Sequence, residues 1–137
     1  MNGTTSILLV EDDVVDVMSV RRALRELNIT NPLNVVGNGE EALVRLQDKT
    51  IPSPGIILLD INMPRMNGID FLRALKNDLA LRRIPVVILT TSKEENDRLR
   101  VFDLSAAGYM LKPVEYNAFV NVMRTIQGYW KTSEMPP

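Results

Sequence analysis

Five short apolar runs, rich in β-branched residues, recur along the chain: Ile7 to Val10, Leu33 to Val36, Ile56 to Leu59, Val86 to Leu89 and Tyr109 to Leu111. Near-continuous hydrophobicity of this length predicts strands covered on both faces, as in a parallel sheet. Between the runs, apolar residues return at helical spacing. Val17, Val20, Leu24 and Leu27 form one stripe, and Phe119, Val122, Met123 and Ile126 form another. The order βαβαβαβαβα predicts an α/β fold with a doubly wound, five-stranded parallel sheet and right-handed crossovers. In such sheets ligands bind at the carboxyl ends of the strands.

Polar punctuation supports this reading. Asn38 with Glu41, Asn67 with Asp70, and Ser92 with Glu95 each resemble a capping box that opens a helix, and Asp13 with Asp16 offers a similar start to the first. Residues 49–55, Lys-Thr-Ile-Pro-Ser-Pro-Gly, predict a loop, because two prolines and a glycine block regular structure. Gly128 weakens the last helix, so the expected core covers about 6–128, with a fraying tail over about 129–137 that ends in Met135-Pro136-Pro137. Leu99, Val101, Phe102 and Leu104 are apolar on more than one face of the fourth helix, which fits either core packing or a further surface to be covered.

Length and composition narrow the picture. At 137 residues, the chain fits one domain and no separate output module. No apolar run approaches the roughly 20 residues needed to cross a bilayer, and Met1 to Ser6 lacks the form of a signal peptide, so a cytoplasmic location is expected. A net charge of −1 gives no basic field for nucleic acid, and Arg21, Arg22 and Arg25 are read as a solvated helix face. The absence of Cys and His excludes thiolate nucleophiles, the usual zinc sites and an intramolecular His base.

Chemistry must therefore come from carboxylates, hydroxyls and lysine. The first strand is followed by Glu11, Asp12 and Asp13, the third by Asp60, the fourth by Thr90 and the fifth by Lys112. Any one of these acids alone reads as a turn former or cap, but their joint placement at one sheet edge does not. Carboxylates within about 4 Å repel by roughly 4 kcal/mol per pair at an effective dielectric of 20, so they hold protons or bind a cation. With only hard oxygen donors, that cation is expected to be Mg²⁺ or Mn²⁺. Thr90 and Lys112 would complete a phosphate cradle, as hydrogen-bond donor and point charge.

Glu11-Asp12, Leu58-Leu59-Asp60-Ile61-Asn62-Met63-Pro64, Met66-Asn67-Gly68, Thr90-Thr91-Ser92 and Lys112-Pro113, in this order and spacing, resemble the motif series of response-regulator receiver domains over residues 6 to about 128. The resemblance implies the (βα)5 flavodoxin-like receiver fold of two-component phosphorelay systems. It implies that Asp60 accepts a phosphoryl group from a phosphohistidine of a histidine kinase or phosphotransfer protein, which supplies the missing histidine in trans. It further implies that Asp12, Asp60 and the Asn62 carbonyl ligate Mg²⁺ while Glu11 acts mainly through water. Asp13 stays outside this set as the cap of the first helix. Thr90, Lys112 and Tyr109 would form the switch, the aromatic turning inward on activation, and Pro113 resembles the family's cis proline.

The loop at 49–55 and the ending Tyr129-Trp130 are similar to stand-alone regulators paired with bacterial phytochrome kinases. In receivers, the face of the fourth helix, fifth strand and fifth helix commonly dimerises or meets targets, and Tyr129 with Trp130 would extend it. Three departures stand out: Glu11 where many receivers have Asp, Ser105 where a glycine often ends the fourth helix, and Thr91 where alanine is common. The expected role is a phosphoacceptor switch, not an enzyme. The alternatives are an aspartyl-phosphate phosphatase, whose Asp-x-Asp motif is interrupted by Asn62, and a pseudo-receiver that binds without being phosphorylated.

Overall fold

The protein is described by a computed structural model covering residues 4–63 and 66–132. Pro64, in the motif after Asp60, and the terminal Met135-Pro136-Pro137 lie outside the described residues. Five strands alternate with five helices: β1 (Ile7–Val10), α1 (Val14–Glu26), β2 (Leu33–Val36), α2 (Gly39–Gln47), β3 (Ile56–Leu59), α3 (Gly68–Asn77), β4 (Val86–Thr90), α4 (Glu95–Asp103), β5 (Gly108–Leu111) and α5 (Tyr116–Thr132). All strand pairs are parallel, in the order β2-β1-β3-β4-β5. The expected α/β fold, a doubly wound five-stranded parallel sheet in the flavodoxin-like strand order, is therefore present.

Alternation within the apolar runs sends their side chains to opposite faces. Leu8, Val10, Ile57, Leu59, Val86 and Ile88 pack under α2, α3 and α4, with Phe71, Leu72 and Leu75 supplying much of that layer. Ile7, Leu9, Ile56, Leu58, Val87 and Leu89 pack under α1 and α5, against Val20, Leu24, Phe119 and Met123. The central strands β1, β3 and β4 are buried throughout, whereas the edge strands β2 and β5 are half-covered.

Three of the four predicted helix starts form. Asp13 accepts from the amides of Val15 and Asp16, Asn38 from Glu41 and Asn67 from Asp70. The fourth does not: α4 begins at Glu95 with Glu94 as its N-cap and no side-chain cap bond. The Ser92 hydroxyl donates instead to Asp97 at 2.8 Å, which draws it away from capping. A second departure concerns the C-terminus, because α5 continues past Gly128 to Thr132. Trp130 is 2% exposed and lies in the α1/α5 core layer, so its burial offsets the glycine and it cannot extend a surface face as expected. Tyr129 does remain exposed.

Candidate functional site

The chain leaves β1, crosses to the edge strand β2, then returns to β3 on the other side of β1. That reversal opens a crevice at the carboxyl ends of β1 and β3, where Glu11 and Asp60 emerge. Ladder bonds fix their heights: the Glu11 amide donates to Val36, the Asp60 amide to Val10 and the Lys112 amide to Thr90. With Thr90 as the last residue of β4, four residues from four strand ends are thereby held on one rim. The cleft they enclose is lined by Glu11, Asp12, Asp60, Asn62, Thr91 and Lys112.

Asp60 stands at its centre. Its Oδ1 accepts from the Asn62 amide at 3.1 Å and from the buried Thr90 hydroxyl at 2.9 Å, while Oδ2 lies 3.4 Å from Lys112 Nζ. Gly68 makes this placement possible. A Cβ there would sit 2.5 Å from the Asp60 carbonyl oxygen and from Ile61 Cα, so only glycine lets α3 start this close to the Asp60 backbone.

Lys112, with its side chain 6% exposed, also donates to Glu11 and, at 2.9 Å, to Asp16. Burial alone would depress its pKa; the bonds to Glu11 and Asp16 and the charges of Asp60 and Glu11 more than offset that and hold it above the usual lysine range. Burial pushes Glu11 up, to about 7, against the opposing pull of Lys112 and with help from the Asp60 charge.

Carboxylate oxygens of Glu11, Asp12 and Asp60 lie within 4.8 Å of one another. Charges at that distance repel by roughly 3 to 4 kcal/mol at an effective dielectric of 20. One ammonium cannot neutralise them together with Asp16, so the all-oxygen donor set fits a hard divalent cation, and one face of the cluster is open because Asp12 and Asn62 are exposed.

The remaining sequence candidates fall nearby. Tyr109 is half-buried against the core, and its hydroxyl donates to the Ser92 carbonyl at 2.8 Å, which ties β5 to the loop after β4. Thr91 is exposed and lines the same cleft as Asp60. Pro113 follows Lys112, but the expected cis bond is not found, since no described peptide bond is cis; the trans form is the ordinary preference of an X-Pro bond. Ser105 adopts φ 62° just beyond α4, yet the amides of Ser105 and Ala106 still close the helix on Phe102 and Val101. Asp16 was legible only as a partner of the first cap. Its position one helical turn past Asp12 and Asp13 was the available signal that it could reach the cleft.

Residues 7–124 match the family described as response regulator receiver domain. Among curated proteins, Response regulator Rcp1 of Synechocystis sp. is 34% identical over 133 residues, covering 94% of this chain and 90% of that one. The crystal structure of the phosphorylated cyanobacterial phytochrome response regulator RcpA superposes with a TM-score of 0.91 at 30% identity, covering 98% of this chain and 99% of that chain. The Mn²⁺-bound form of response regulator Rcp1 gives 0.89 at 33% identity, covering 97% and 99%.

Proposed function

The chain belongs to the response-regulator receiver domains of two-component systems, related to phytochrome response regulators, and from that premise we propose that it accepts a phosphoryl group on Asp60 from a histidine kinase. One observation carries the reading: among the described residues, Asp60 is the single carboxylate bonded to Thr90, near Lys112 and inside the acidic cluster at once. Its Oδ1 already accepts two hydrogen bonds, which leaves Oδ2 as the attacking atom. The Oδ2–P bond forms as the N–P bond of phosphohistidine breaks, and the imidazole departs with the electron pair and takes a proton from water. Lys112 holds an equatorial oxygen, and Thr90 turns its hydroxyl from Asp60 to the new group.

Asp12, Asp60 and the Asn62 carbonyl would hold Mg²⁺ or Mn²⁺, with Glu11 acting through water. Bound there, the ion neutralises charge on the phosphoryl oxygens. Support for the cation comes from the donor chemistry and from the Mn²⁺-bound relative.

The protein acts as a switch and not as a turnover enzyme, since Asn62 stands where an aspartyl-phosphate phosphatase would place its second acid. Its kinase is of the bacteriophytochrome type, by similarity to the cyanobacterial phytochrome response regulator RcpA and the bacteriophytochrome response regulators RtBRR and AtBRR, and the exchange takes place in the cytoplasm. Phosphorylation alters contacts on the face of α4, β5 and α5, where Leu99, Phe102, Leu111 and Tyr129 are exposed to a target, a phosphotransfer protein or a second copy. Incubation with Mg²⁺ and acetyl phosphate should label the wild type and leave Asp60→Asn unlabelled. Equal labelling of both would overturn the assignment.

A further inference from the structure

Asp16 takes no part in the chemistry above, yet its Oδ2 lies 2.9 Å from Lys112 Nζ, nearer than the 3.4 Å of Asp60 Oδ2. An ammonium carries three N–H donors, and Glu11, Asp16 and Asp60 engage all three. Once Oδ2 carries the phosphoryl group, Asp60 gives up its long contact and one donor is free, but Lys112 can close on a phosphoryl oxygen only as far as Glu11 and Asp16 release it. Glu11 is poorly suited to do so, because its side chain is 2% exposed and water cannot replace the lost bond. The Asp16 side chain is 38% exposed, so water can take over its solvation.

We propose that Asp16 is a positioning residue that competes with the Asp60 phosphoryl group for Lys112, drawing the ammonium toward α1 and thereby weakening the phosphorylated state. The inference rests on the proposed acceptor role of Asp60. Asp16 touches no reacting atom and acts only through Lys112. Removing its charge frees one Lys112 donor and withdraws a negative group from the neighbourhood of the phosphoryl oxygens, so both consequences favour the modified state.

The test is titration of the full chain with beryllofluoride, a phosphoryl mimic, at saturating Mg²⁺, followed by amide NMR shifts around Asp60. Asp16→Asn should bind about two- to five-fold more tightly than wild type, the range expected for a partly exposed ion pair. Its acetyl-phosphate label should persist longer by a comparable factor. Asp16→Glu, which keeps the charge, should return toward wild type. A purely structural role for Asp16 would instead lower the melting temperature of Asp16→Asn without tightening beryllofluoride binding. Equal or weaker beryllofluoride binding by Asp16→Asn overturns the inference, and Asp16→Ala makes the same comparison if the Asn variant folds poorly. Failure of the wild type itself to bind beryllofluoride would instead overturn the acceptor reading.

Discussion

Glu11 is a buried acid facing an ammonium, and in the absence of a cation burial prevails: its pKa rises from 4.5 to about 7. Between those values the folded chain holds a proton that the unfolded chain has released. The stability this group contributes is fully present below pH 4.5 and is lost as the pH rises through about 7. With a chelator present, the melting temperature of the wild type relative to Glu11→Gln should therefore decline across that window. A difference that stays constant with pH would contradict the assignment. The residue scale is also where the sequence was most legible. Glu11, Asp12, Asp60, Thr90 and Lys112 announce themselves because each follows an apolar run, and strand ends are where parallel sheets put chemistry. Asp16 was hidden for the opposite reason. Its partner lies 96 residues away, and no local pattern states how far a helix is rotated about its own axis.

Among the elements, α3 and α4 differ in how firmly they are held. At the start of α3, the Gly68 contact is with backbone atoms, which cannot swing aside as a flexible side chain would. Gly68→Ala should cost about 1–3 kcal/mol in urea unfolding and slow labelling of Asp60, because relief must come from moving the β3–α3 segment. Unchanged stability would show that the close approach is not limiting. At the end of α4, Ser105 occupies a left-handed conformation that glycine adopts more readily. Ser105→Gly should stabilise the protein by up to about 1 kcal/mol, read as a higher melting temperature; a fall would refute the argument. The start of α4 was misread from sequence because Ser92 has the right type and spacing for a cap while Asp97 claims its hydroxyl. Local spacing names candidates for a hydrogen bond but does not decide between them.

At the scale of the whole molecule, stability is uneven. Five residues of α3 are buried, against Val101 alone in α4, which also lacks a side-chain N-cap bond. Amides of residues 98–104 should therefore exchange with deuterium well before those of 71–75, and equal protection would contradict this ranking. The parallel sheet was legible because near-continuous apolar runs specify burial on both faces, whereas those runs do not state the spatial order β2-β1-β3-β4-β5. The reach of α5 was not, since Gly128 argues for an end that the buried Trp130 overrides from beyond it. One further feature bears on how this molecule could be handled. The turn between α2 and β3 exposes residues 48–50, Pro52 and Ser53, and it enters β3 at Ile56, whereas Asp60 follows the other end of that strand. Because the reactive rim and this turn occupy opposite ends of the sheet, the turn is a natural graft point, where a fluorescent reporter or affinity handle could be spliced in while the acceptor end of the sheet stays intact.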